Sequence, residues 1–343
     1  MQNLVNTLNG FIWSNALILL ALGAGLFFSI KTKFVQIRLF KEMIRLLMSG
    51  TSSKLGISPF QALSVSLSGR VGTGNIAGVA AAIGFGGPGA IFWMWIVAFF
   101  GASTAYIEST LGQIFKEESE GQYRGGPAYY IEKAMGAKWY ALFFAVATII
   151  ATGILLPGVQ ANSIGNAAEL ALGGGEIVDT VFGPLSSTKI TTSIFVLILL
   201  AFIIFGGVKR IASFTQVVVP FMALAYIVIS LSIIGLNIYR LSEIITLIIN
   251  DAFTPMAGFG AAIGWGVRRG IYSNEAGQGT GPHAAAAAEV SHPAQQGLVQ
   301  AFSVYIDTLF VCTATAFMIL ITGSYNVHGK GSDFIIQNIS STV

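Results

Sequence analysis

Apolar residues run along this chain in blocks of about twenty, separated by short stretches where Lys, Arg, Gly and Pro collect. A helical block of that length crosses a hydrocarbon core of roughly 30 Å. Eight spans are expected, at 14–30, 58–86, 88–115, 138–172, 190–208, 212–237, 252–272 and 297–322. The fourth is too long for one straight crossing, so either a kink at Pro157 or last turns that tilt past the membrane are expected. Two further stretches, RLFKEMIRLLM at 38–48 and RLSEIITLIIND at 240–251, mix apolar and charged faces at helical spacing. They are expected to lie along a membrane surface. The pattern predicts an all-α polytopic membrane protein.

Composition agrees. Only 10% of the 343 residues are charged, 54% are hydrophobic, and the mean hydropathy is +0.74. A soluble domain of this length carries about 25% charged residues. The net charge of +3 matters less than where the charges sit. Lys31, Lys33, Arg38, Lys41, Arg45 and Lys54 follow the first span, and Lys116, Arg124, Lys133 and Lys138 follow the third. Lys209, Arg210, Arg268 and Arg269 fall on the same side, while the other side receives Lys189, Arg240 and Lys330. The positive-inside rule then puts the N-terminus outside and the second span running from the cytoplasm outward, in the plasma membrane. The stretch 14–30 has no basic region before it and reads as a retained span rather than a cleaved leader. The single cysteine, Cys312, lies in an apolar block, excludes an intrachain disulfide, and reads as a buried structural thiol.

The chemistry concentrates at SLSGRVGTGNIAGVAAAIGFGGPGA, residues 66–90. Gly72, Gly74 and Ala77 fit the G-x-G-x-x-G/A turn that cradles a dinucleotide. That turn needs a preceding strand and an acidic residue about 20 positions on. Positions 92–98 read FWMWIVA, without an acid, so the nucleotide reading fails. A helix broken inside the membrane fits better. Non-helical backbone at that depth is tolerated where it is buried in protein or lines a wet cavity. Unwinding near Gly72–Asn75 would free carbonyls for a cation and N–H groups for a carboxylate, and Thr73 and Asn75 add a hydroxyl and an amide. A second Gly-rich block, PMAGFGAAIGWGVRRG at 255–270, enters from the opposite side, with glycines at 258, 260, 264 and 266. Paired interruptions in halves of opposite topology point to an inverted-repeat transporter. The competing reading is that these glycines serve close helix packing.

Ionisable residues inside spans are functional candidates by default. Arg70 lies near mid-membrane in the second span and Glu108 in the antiparallel third, seven residues before its cytoplasmic end. The two are expected to form an ion pair or gate on that side, the alternative being an Arg70 that snorkels or faces the cavity and a Glu108 that caps local hydroxyls. Asp307 reads either as a coupling-ion ligand or as a structural hydrogen-bond acceptor. Glu275, in SNEAGQGTGP at 273–282, is assigned to a cytoplasmic loop, pairing with Arg268 or Arg269. His283 and His292 have no cysteine partners for a metal site.

Three blocks carry a family resemblance: GTGNIAGVAAAIGFGGPGAIFWMW at 72–95, GGPAYYIEKAMG at 125–136 and WGVRRGIYSNEAGQGTGPHAAAAAE at 265–289. With likeness over essentially the whole chain, the sequence resembles the alanine/glycine:cation symporter family. The resemblance implies a LeuT-type fold of two inverted five-helix repeats with an extra N-terminal span. It implies symport of alanine or glycine with Na⁺ or H⁺ by alternating access. Carried over, Thr73, Gly74 and Asn75 fall in the first unwound segment, Gly258, Phe259 and Gly260 in the second. Gln160 and Asn162 match a polar patch facing substrate, and Gly72, Asn75 and Asp307 are the ion candidates. The expected division is 1–57 for a peripheral span and amphipathic helix, 58–237 for the first repeat, and 238–343 for the start of the second. Family members are about a hundred residues longer, so the second repeat is expected to be incomplete here and the Na⁺ site with it. Neither an enzyme nor any cofactor beyond the coupling ion is implied; the expected partners are the substrate, Na⁺ and the lipid bilayer, with no nucleic acid. Another LeuT-type solute transporter or a channel is the alternative.

Overall fold

A computed structural model describes residues 2–50, 52–181, 183–254, 259–323 and 325; the side chains of residues 2–6 and of Phe259 are outside that description. Among the described residues, six helices are long and apolar enough to cross a membrane: Thr7–Lys31, Ala90–Ile114, Lys138–Leu172, Ser187–Ile204, Gly207–Leu236 and Pro293–Thr322. The remaining two expected spans are not single helices of that length. The block at 58–86 is broken into shorter pieces, and the one at 252–272 has its described helix from Phe259 onward.

Helix α1 (Asn15–Lys31) packs at the periphery. Gly25 lets it approach closely, because a Cβ there would stand 2.8 Å from Phe100 Cβ, and Ser103 Oγ donates to the Gly25 carbonyl at 2.8 Å. The amphipathic helix Phe40–Leu47 follows, burying Met43 and Leu46. Helix α2 (Pro59–Arg70) opens on a capping box: Ser58 Oγ accepts from Gln61 N, and Gln61 Oε1 accepts from Ser58 N, with Pro59 in the first turn. Ser58→Ala is expected to lower stability by about 1 kcal/mol, read as a lower melting temperature in detergent. Just before this cap, Ile57 N donates to the Ala287 carbonyl and Glu289 N to the Ile57 carbonyl, tying the entry of α2 to the chain near Ala288.

Beyond Arg70 the helix stops, passes through extended Val71, and resumes as a π-turn at Gly74–Gly78 and then α3 (Val79–Gly86). Helix α4 (Ala90–Ile114) is the central element and buries small residues along its length, among them Ala98, Ala102 and Ala105. Just beyond its C-terminal end Lys116 donates to the Ala288 carbonyl and lies over the Tyr123 ring; burial pushes the pKa of the Lys116 ammonium down.

Helices α5 (Lys138–Ile150) and α6 (Leu156–Leu172) form one line interrupted by a π-segment at Ala151–Leu155. The expected disturbance at Pro157 therefore takes this form. Pro157 cannot donate to the preceding turn, and the widened register immediately before it absorbs the missing bond. Helices α7 (Ser187–Ile204), α8 (Gly207–Leu236) and α9 (Leu241–Ala252) follow. Helix α9 buries Ile244, Ile248 and Ala252 on one face, as its spacing predicts. The chain then contributes α10 (Phe259–Asn274), the short α11 (Gly281–Ala286), α12 (Pro293–Val304), a π-segment at Tyr305–Cys312 and α13 (Thr313–Thr322).

The all-α expectation needs one correction. Two small antiparallel hairpins lie between helices, β1 (Glu117–Ser119) with β2 (Gln122–Arg124), and β3 (Ile177–Thr180) with β4 (Gly183–Ser186). In the first, Glu120 and Gly121 both have positive φ, 54° and 70°, the pairing of a two-residue turn whose twist matches the strands.

Candidate functional site

The break between α2 and α3 is held open by side chains. Asn75 Oδ1 accepts from Gly72 N at 2.7 Å, giving that amide a partner where the helix has none. Gln160, from α6, accepts from Thr73 N at 3.3 Å, and its amide lies 3.0 Å from where a Gly72 Cβ would stand. Gly74 faces α10 closely; its Cβ would meet Ser273 Cα at 3.4 Å. Glycine at 72 and 74 thus admits a glutamine on one side and a helix backbone on the other. The Thr73 hydroxyl is buried here without a hydrogen-bond partner among the described residues.

Asp307 stands directly behind the break. It is fully buried, in the π-segment that follows α12, where the widened turn turns the carboxylate toward α3 and α10. Its oxygens accept from Asn75 Nδ2 at 2.7 Å, Ser273 Oγ at 2.8 Å and Thr308 Oγ1 at 2.8 Å. Asn75 Nδ2 also lies 3.1 Å from Ser273 Oγ and 3.2 Å from Cys312 Sγ, and Asn274 Nδ2 donates to Thr308 Oγ1 at 3.2 Å. One carboxylate therefore draws three elements together through oxygen, nitrogen and sulfur groups. Cys312 is the buried thiol expected, with the further feature that it touches this network.

A cavity of about 360 Å³ leads from the break toward the loop before α11. Arg70, Gly74, Gln160, Glu275, Thr280 and His283 are among its lining residues. On the other side of the break the packing is tight. Phe85 stacks on Trp265 at 4.7 Å between ring centroids, and a Cβ on Gly86 would stand 2.8 Å from Trp265 Cβ. Gly89 N donates to Asp251 Oδ2 at 2.7 Å and Trp93 Nε1 to the Ala252 carbonyl at 3.2 Å, sealing α4 against α9. Among the described residues, the cavity lies on one side of the break and the tight packing on the other.

Several expectations change. Asn162 is exposed; two positions beyond Gln160, it points about 200° away around α6 and does not join the site. Gly258 lies outside the described residues, as does the side chain of Phe259, and Gly260 is already in the first turn of α10. The later glycines of that helix follow the packing reading: Cβ atoms on Gly266 and Gly270 would stand 2.4 Å from the Ala90 carbonyl oxygen and 2.3 Å from Val97 Cγ1, so both admit α4. Arg70 and Glu108 both lie against Gly281 without a direct ion pair. Glu108 instead accepts from the backbone N–H groups of Gly277 and Gly279, at 3.2 and 3.1 Å, and Arg70 donates through Nη1 to Ser303 Oγ. Glu275 is held by Thr280 Oγ1 at 2.5 Å, while Arg269 lies over the Trp265 ring. Ser273 and Asn274 lie not in a loop but in the last turn of α10, buried at 1% and 0% exposure, and Ser273 is a full member of the Asp307 network.

Chemically, the arrangement offers an anionic oxygen pair flanked by hydroxyls, which suits a small cation, next to a helix start and an unpartnered hydroxyl, which suit a carboxylate. With membrane-length helices around it and a cavity reaching one face, this is the construction of a membrane transport protein. The chain belongs to the sodium:alanine symporter family, whose model matches residues 1–343. It is similar to the putative sodium/proton-dependent alanine carrier YrbD of Bacillus subtilis, 57% identical over 343 residues, covering 99% of this chain and 68% of that protein. It is also similar to the probable sodium/glutamine symporter GlnT of the same organism, 44% identical over 350 residues, 100% of this chain and 70% of that one. A sodium/proton-dependent alanine carrier of Bacillus sp. strain PS3 is 47% identical over 302 residues, 87% of this chain and 65% of that one. The chain spans about two thirds of the length of these relatives. It is a multi-pass membrane symporter that moves an amino acid with a coupling cation, and not an enzyme.

Proposed function

We propose that the substrate is alanine, with glycine accepted, and that the coupling ion is Na⁺, with H⁺ able to replace it. The Asp307 network behind the broken helix is the observation that carries this reading: Asn75, Ser273 and Thr308 already direct oxygen or nitrogen groups at one buried carboxylate. The cation binds against Asp307, and the carboxylate of the substrate binds the N–H groups and Thr73 hydroxyl at the helix start, with Gln160 above it. Gly72 and Gly74 shape one wall and Gly260 the other; Gly258 and the Phe259 side chain, expected with them, lie outside the described residues. The names of two relatives, both alanine carriers dependent on sodium or protons, favour this over the glutamine suggested by a third.

The wider reading is a LeuT-type inverted repeat in the plasma membrane. Eight spans start from an outside N-terminus and divide at 58–237 and 238–343, after a peripheral segment at 1–57. Arg70 and Glu108 gate the cytoplasmic route. A cavity on the cytoplasmic side with tight packing on the other corresponds to the inward-facing state of an alternating-access cycle. The test is uptake of radiolabelled alanine into proteoliposomes. An inward Na⁺ gradient is expected to drive saturable accumulation, with glycine competing and glutamine competing more weakly. Uptake that neither a Na⁺ nor an H⁺ gradient accelerates, or that stays linear with concentration, would end the symport reading.

A further inference from the structure

Arg70 is 2% exposed, and only one nitrogen of its guanidinium has a partner. Nη1 donates to Ser303 Oγ, whereas Nε and Nη2 have none among the described residues. Those two nitrogens form one edge of the planar group, the edge that takes both oxygens of a carboxylate in parallel hydrogen bonds. Two more buried hydroxyls nearby are equally unpartnered, Ser66 Oγ and Ser109 Oγ. Ser66 lies four positions before Arg70 on α2, hence on the same helix face, and both line the cavity. Ser109 comes from α4 across Gly281: its Oγ is 3.7 Å, and Arg70 Nη2 is 2.8 Å, from where a Gly281 Cβ would stand. Buried donors normally find acceptors, so a cluster of orphaned ones beside a cavity marks a place for an acceptor from outside.

The neighbouring acids do not fill that role. Both oxygens of Glu108 are taken by loop amides, Glu275 by Thr280, and Asp307 by Asn75, Ser273 and Thr308. They balance the charge of Arg70 without using its free edge. We propose that Arg70, Ser66 and Ser109 form a second, carboxylate-binding station on the cytoplasmic exit route. The transported amino acid rests its carboxylate there after leaving the Gly72–Asn75 break. The inference rests on the transport reading above. It gives Arg70 a ligand-binding role beyond gating.

The test uses the full chain with Ser66→Cys, reconstituted in Na⁺-free buffer so that the cation-dependent site is not loaded. Ionic strength is held with a bulky sulfonate salt. Modification by a small neutral methanethiosulfonate reports occupancy. Cys312, the one native cysteine, is buried, and the parental chain gives the background rate. Alanine and acetate are each expected to slow modification about tenfold, the scale of a charge-assisted bidentate contact, while alaninamide, which lacks the carboxylate, leaves the rate unchanged. Arg70→Gln is expected to abolish the protection and Arg70→Lys, which keeps the charge but not the fork, to reduce it by more than half; the lysine variant serves if the glutamine variant does not fold. No protection by acetate and alanine, equal protection by alaninamide, or equal protection by chloride each overturns the proposal, the last by assigning the pocket to a halide. Na⁺-driven uptake of alanine by the parental chain is measured in parallel. Uptake without protection overturns the station and leaves the symport reading standing. Protection without any cation-driven uptake supports the station and overturns the symport.

Discussion

Asp307→Asn is expected to reduce cation-driven alanine uptake at least about a hundredfold while leaving a folded, monodisperse protein. The two halves of that result have separate causes. Asparagine is nearly isosteric, and its own carbonyl can keep the bond from Asn75 Nδ2 while its amide faces the hydroxyls of Ser273 and Thr308. Those hydroxyls rotate to accept, so the network loses about 1 kcal/mol of hydrogen-bond quality rather than its connectivity. What disappears is the charge. In a site with no exposure to water, a full negative charge beside a cation contributes several kcal/mol, and a hundredfold loss needs only about 2.7 kcal/mol. Asp307→Ala separates the structural share. It leaves the donors of Asn75 and Ser273 without their acceptor and opens a void, so the melting temperature falls as well as uptake. The measurements are uptake under imposed Na⁺ or H⁺ gradients and thermal unfolding in detergent. If Asp307→Asn keeps its dependence on the cation, Asp307 is a structural acceptor and the coupling site lies elsewhere.

How far such a site is legible in a sequence depends on what each residue type can mean. The break at Gly72–Asn75 was legible because glycines, a hydroxyl and an amide occur together inside an otherwise apolar span, and the helix does stop there. Asp307 was legible as an intramembrane acid, though open between ion ligand and structural acceptor, whereas Gln160 came from the family resemblance and not from its residue type. The glycines of α10 were not. A glycine permits both an unwound backbone and the close approach of a neighbour, and only the neighbour decides. At Gly266 that neighbour is the carbonyl of Ala90, 176 residues away in the chain. Ser273 was hidden by its company, since the turn residues that follow it made the end of a buried helix look like a loop. The Arg70–Glu108 relation was half legible. Depth could be counted along the two spans, but the amides of Gly277 and Gly279 that satisfy Glu108 come from a third segment whose path no spacing encodes.

Gly266→Val is expected to be the most damaging single substitution for the fold, and it isolates that packing role. A Cβ on Gly266 would stand 2.4 Å from the Ala90 carbonyl oxygen and 2.7 Å from Trp93 Cβ. The first of these is backbone, in the opening turn of α4, and the carbonyl cannot swing aside as a side-chain end would. Retreat of the whole helix would in turn strain the seal made by Gly89 with Asp251 and by Trp93 with Ala252. Overpacking of this kind costs about 1–3 kcal/mol when side chains can repack and more when they cannot, against a total stability of about 5–15 kcal/mol. Gly266→Ala is therefore expected to lower the melting temperature clearly, and Gly266→Val to leave little folded protein on size-exclusion chromatography. Gly270→Ala is milder than Gly266→Ala, because its 2.3 Å neighbour is the movable Val97 Cγ1. Gly264 supplies the contrast within the same helix: among the described residues, a Cβ there meets nothing within 4 Å. Gly264→Ala gives up only backbone freedom in the unfolded chain and is expected to be stabilising by up to about 1 kcal/mol. The order valine at 266 worst, alanine at 266 next, alanine at 270 milder and alanine at 264 neutral or better identifies close packing of α10 on α4. Equal damage at 264 and 266 would mean that the helix needs its glycines to unwind, and would restore the broken-helix reading for this part of the chain.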